Sequence, residues 1–172
     1  MTTLYEAFVP TSIQMLEALA QILDKAEAHC ADNALAPEAL LAERLAPDMY
    51  DFAYQVKSSS FHSIGAIKGV DAGHVSPDKD PAPSTFPALK AQVLDSVAQL
   101  KSVDPSTFET LGEKKVLFTV GDRIRWEFTG ANFLLGFAQP NFYFHVTTAY
   151  AILRAAGVKI GKVDYLGQMR HE

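Results

Sequence analysis

Most of the chain carries apolar residues at a helical period, and one segment alternates instead. Leu4, Phe8, Thr11, Met15, Ala18, Leu19, Ile22 and Ala26 fall at steps of three, four and one. That spacing marks one face of a helix over about residues 3–28. Pro10 lies inside it and is expected either to kink the helix or to sit early enough to cost little. A break is expected over 29–35. Pro37 opens a short helical piece reaching Arg44, with the proline in its first turn. Pro47 reads as the start of a second long helix extending to Lys68, with the stripe Met49, Phe52, Val56, Ser60, Ser63 and Ile67. Residues 69–83 hold three prolines and read as a loop. Ser84 or Thr85 then caps a third long helix, whose stripe is Phe86, Leu89, Val93, Val97 and Leu100. Pro105 blocks its continuation.

Past that point the period changes. Lys115–Val120 and Arg123–Phe128 are rich in β-formers, and Gly121-Asp122 between them suits a two-residue type II′ turn. That turn would set Leu117 opposite Trp126 and Thr119 opposite Ile124. Ala131–Ala138 reads as a short helix, and Pro140 as the restart of a fourth long helix reaching Arg154. Gly157 is a C-terminal stop. Residues 161–167 read as extended. The pattern predicts one all-α domain over residues 1–172. It is a four-helix bundle with a small β-hairpin inserted between the third and fourth helices.

Composition narrows the class. Of 172 residues 48% are hydrophobic and 20% charged, which excludes long disorder. The net charge of −5 and the scattered basic residues give no footprint for nucleic acid. No run approaches the roughly 20 apolar residues of a membrane span, and Met1–Glu6 lacks the features of a signal peptide. The expected address is the cytoplasm. A single cysteine, Cys30, excludes an internal disulfide and reads as a small, partly buried residue.

The familiar catalytic signatures are missing: no phosphate loop, no paired cysteines, no H-E-x-x-H, no Glu-x-x-His and no nucleophile elbow. Two helical histidines carry the remaining chemistry. His145 borders the apolar stripe of the fourth helix and could point into a cavity. His62 shares a face of the second helix with Gln55 and Ser59. They read either as hydrogen-bonded core histidines or as part of a site gathered between facing helices. Tyr143 and Tyr150 are candidate walls of a small-molecule pocket, together with Gln55.

The string Pro140–Arg154, followed by Gly157-Val158 and Gly161–Gly167, closely resembles the C-terminal signature of an uncharacterised bacterial family. Pro47-Asp48-Met49 with Gln55-Val56 is similar to its helix-two signature. That family is placed in the DinB/YfiT-like superfamily of metal-dependent enzymes. The resemblance implies an up-down-down-up bundle, homodimeric association and a divalent metal, zinc or nickel, held by three histidines. One sits on helix two and two form an H-x-x-x-H pair on helix four. Here Ala149 stands four residues after His145, so the pair is broken. Two functions are then expected. The first is a non-catalytic module that binds a small ligand or a partner. The second is a divalent-metal-dependent thiol transferase or hydrolase with an incomplete triad. In the second, His62 and His145 would be ligands, completed by Gln55, Asp51 or Asp48.

Overall fold

The computed structural model describes residues 2–171 and is mostly helical, with a small three-stranded sheet. Helix α1 (Leu4–Asp32) opens with a capping box, Thr3 and Glu6 each satisfying the other's backbone N–H. Pro10 is carried inside it. The expected break after Ala28 does not occur. Cys30, four residues past Ala26, is fully buried and extends the stripe by another turn. Asn33 ends the helix, its side chain donating to the His29 carbonyl.

Helix α2 is short (Pro37–Leu41). The second long helix opens at Phe52 rather than Pro47, because Asp51 accepts the Tyr54 N–H at 2.9 Å and fixes the first turn there. It comprises α3 (Phe52–Ser60), a π-turn (Phe61–Gly65) and α4 (Ala66–Ala72). Gly73, at φ 75°, ends it in the left-handed region. Strand β1 (His74–Val75) follows within the segment expected to be all loop. Helix α5 (Phe86–Lys101) matches the expected third helix, capped by Thr85, with all five stripe residues buried. The short α6 (Pro105–Thr110) leads into the hairpin.

Strands β2 (Lys115–Val120) and β3 (Ile124–Thr129) pair antiparallel, and β1 joins β2 in parallel, giving the order β1-β2-β3. The hairpin register differs by one residue from the expected one. Phe118 faces Trp126 and Val120 faces Ile124. The loop has three residues, Gly121 to Arg123, and Gly121 takes φ 53°. This register gathers Val116, Phe118, Val120, Ile124, Trp126 and Phe128 on one face, and a slip of one residue would turn them all outward. The alternation of three apolar residues in β2 outweighs the single Leu117 on the other face.

The last long helical run does not break at Pro140. It passes from α7 (Gly130–Phe133) through a second π-turn (Leu134–Ala138) into α8 (Gln139–Ala155). The wider turn lets the Gln139 N–H reach the Leu134 carbonyl and takes the proline ring within the helix. At its start, a Cβ on Gly130 would lie 2.0 Å from the Leu111 carbonyl oxygen, so only glycine fits. Residues 162–166 form helix α9, not an extended tail. Its start is held by Asp164, which accepts the Gly161 N–H at 2.7 Å.

Helix α1 packs along α5 and α9, and α3 packs along α8 and α5. The core fills the space between them, with Phe8, Phe52, Phe133 and Phe142 all buried. The apolar hairpin face lies on the α7–α8 run, where Phe118 packs on Phe133 and Phe137.

Candidate functional site

Both π-turns border one cavity. Tyr54, Ser58 and His62 recur every four residues on the α3 run, and Phe137, Asn141 and His145 do the same on the α8 run. Packing α3 against α8 turns the two rows towards each other. The imidazoles of His62 and His145 meet almost parallel, with ring centres 5.2 Å apart and planes at 14°. Tyr54 meets His145 edge-on, while Phe61 and Phe137 flank His62. These groups, with Phe118, Lys57 and Asn141, line a cavity of about 270 Å³.

The polar contacts are specific. Gln55, only 2% exposed, donates from Nε2 to the Tyr50 carbonyl at 3.0 Å. Its Oε1 lies 2.7 Å from His145 Nδ1. Nδ1 of His62 is sealed from solvent with no partner. Burial pushes the pKa of His62 down to about 3, helped by the neighbouring His145. Burial lowers that of His145 to about 4. Both rings are therefore neutral at physiological pH. Lys57, 5% exposed, pairs with Asp78 at 2.8 Å and donates to the Asp80 carbonyl. Those bonds hold the 76–83 loop against α3, with Pro77 and Asp78 on the cavity wall. Hydrogen bonding from Lys57 holds the Asp78 carboxyl below its usual range.

Three of the five residues singled out from sequence thus stand together: His62, His145 and Gln55. Tyr143 and Tyr150 do not line this cavity. Tyr143 lies beside a shallow surface depression with Leu45 and Phe144, and Tyr150 packs edge-on against Tyr165. Asp51 is engaged as the α3 cap, and Asp48 lies in the 42–51 connection. Cys30 is buried and its thiol is pushed up by burial and by Glu27 and Glu38, so it is no reactive thiolate. Sequence reasoning missed Tyr54, Lys57, Phe118, Phe137 and Asn141. The spacing of Phe137, Asn141 and His145 was a usable signal, masked by placing a helix break at Pro140.

The donor set bears on the three-histidine metal of the DinB/YfiT-like pattern. Among the described residues no three His, Cys, Asp or Glu side chains are grouped to hold an ion. Ala149, where the pattern has its third histidine, is fully buried in the core. The residues present do not fit that metal centre, which needs three protein ligands.

Comparison with known proteins agrees with the architecture. No curated protein is matched by the chain. A solved structure described as a DinB family member protein from Shewanella denitrificans is similar to it. The two are 29% identical with a TM-score of 0.83, over 98% of this chain and 94% of that one. The model of a domain of unknown function, DUF1993, matches residues 4–166. The chain therefore belongs to the DUF1993 family, an uncharacterised family of DinB-like proteins.

Proposed function

We propose that this protein is a non-catalytic module that binds a small organic molecule in the cavity between α3 and α8. In this reading α1, α3–α4, α5 and α7–α8 form the four-helix bundle expected from sequence. The cavity then lies between two of its helices, a usual place for a ligand in such a fold. The observation that carries the reading is the cavity itself. It is about 270 Å³ and lined by Tyr54, Phe61, Phe118 and Phe137 together with two neutral imidazoles. A closed apolar cavity of about 150 Å³ admits benzene, so one substituted ring fits here.

The test is a panel of one-ring compounds screened by thermal shift, with binding mapped by chemical-shift changes at His62 and His145. Saturable binding that perturbs both rings supports the reading, and no binder in the panel refutes it. Metal analysis of tag-free protein tests the enzymatic alternative. One equivalent of zinc or nickel, lost in His145→Ala, would overturn the non-catalytic reading.

A further inference from the structure

The two imidazoles present opposite hydrogen-bonding faces to the cavity. The Tyr50 carbonyl can only accept, so Gln55 must turn its NH₂ towards it. That leaves the Gln55 Oε1 facing His145 Nδ1, and an amide oxygen can only accept. His145 therefore carries its proton on Nδ1, and its Nε2 is a bare lone pair. For His62 the decisive atom is Nδ1, sealed and without a partner in a residue only 9% exposed. A buried N–H left unpaired is rarer in folded proteins than an unpaired acceptor. The proton of His62 accordingly sits on Nε2. Neither Nε2 has a protein partner among the described residues, and neither is sealed as His62 Nδ1 is. Both rings line the cavity.

The surroundings restrict what can use this pair. The charged side chains on the cavity wall are Lys57 and Asp78, and they neutralise each other at 2.8 Å. An anionic ligand would enter without a counter-charge. The remaining wall is largely aromatic, and the volume suits one ring.

We propose that the cavity takes a neutral one-ring phenol, whose hydroxyl oxygen accepts from Nε2–H of His62 while its O–H donates to Nε2 of His145. A hydroxyl oxygen can accept from one of these atoms and donate to the other, and the aromatic wall favours a ring as its carrier. The proposal rests on the ligand-binding reading above.

The test uses the full chain at neutral pH with four probes: phenol, anisole, toluene and benzoate. Calorimetry should give phenol an affinity about tenfold above that of toluene, the ratio expected for two modest hydrogen bonds, with anisole, whose ether oxygen can accept but not donate, in between. Benzoate should bind more weakly than phenol. Ring-nitrogen NMR of the ligand-free protein should show His145 as the Nδ1–H tautomer and His62 as the Nε2–H tautomer. Gln55→Leu should narrow the preference of phenol over toluene, because the proton of His145 is no longer held on Nδ1, while the bond from His62 remains. Equal binding of phenol and toluene, or tighter binding of benzoate, would overturn this proposal and leave the ligand-binding reading standing. Failure of all four probes to bind would overturn both. The tautomers are read on the unaltered chain, so the opposite assignment counts against the proposal even if Gln55→Leu does not fold.

Discussion

Acid should unfold this protein from the histidine pair outward, well before its carboxylates titrate. Folded pKa values of about 3 for His62 and about 4 for His145 lie below the ordinary 6.5. With both depressed, the unfolded chain binds more protons than the native one as pH falls below 6.5. The stabilising contribution is therefore complete above that value and shrinks on acidification. Each ring contributes a slope of about 1.4 kcal/mol per pH unit between its two pKa values. Two rings together approach about 3 kcal/mol per unit between pH 6 and pH 4. That span removes on the order of 5 kcal/mol, comparable to the whole net stability of an ordinary domain. Asp78 and Asp164 also have depressed values, from a normal 3.8. Their loss falls in a lower window, so the range from pH 6 to 4.5 reports on the imidazoles. Urea unfolding followed by circular dichroism at half-unit steps from pH 7 gives the slope directly. His62→Leu removes one titrating ring together with the unpartnered Nδ1, and should about halve the slope without lowering stability at pH 7. A stability that stays flat from pH 7 to pH 5 would refute the argument, because it would mean the rings charge freely in the folded state.

Three further outcomes follow from particular contacts. Gly130→Ala drives a methyl into the Leu111 carbonyl at 2.0 Å and should cost about 1–3 kcal/mol in chemical denaturation, whereas Gly136→Ala, with open space around it, should not. Lys57→Met should speed amide exchange across the 76–83 loop while costing only about 1 kcal/mol globally, since Asp78 is 39% exposed and can rehydrate. Loop exchange as slow as in the unaltered chain would count against a role for Lys57 in holding the loop. Leu45 and Phe144 are exposed side chains lining one depression on α8, so the homodimer expected from sequence should bury them. Phe144→Asp should then halve the mass by light scattering, and a monomeric unaltered chain would refute it.

How much of this was legible in the sequence depends on what sets each feature. Stripes held by burial alone were readable: the α5 face matches residue for residue, because nothing local competes with the period there. Boundaries set by one hydrogen bond were less so. Asp51, not Pro47, starts α3, since a side chain that accepts the N3 N–H decides where the first turn closes. The hairpin slipped by one residue because a three-residue loop and a two-residue loop look alike around Gly121. The π-turns were invisible in the sequence, as their five-residue turns leave no distinct composition, and they matter most to the site. One carries His62. The other carries Phe137 and leads directly into Asn141 and His145. An extra residue in a helical turn rotates everything beyond it by about 100°, taking 3.6 residues per turn. In each run the turn therefore sets how the side chains before it are phased against those after it. The stripe reading put His145 at the margin of the core, where it lies half-buried on the cavity wall, but it stopped the preceding helix before Pro140. Because the run continues through the π-turn into α8, Phe137, Asn141 and His145 form one row that faces His62 and Gln55. The chemistry of this fold thus arises where its helices depart from regularity, and the Gln55 bond fixes which nitrogen His145 offers there.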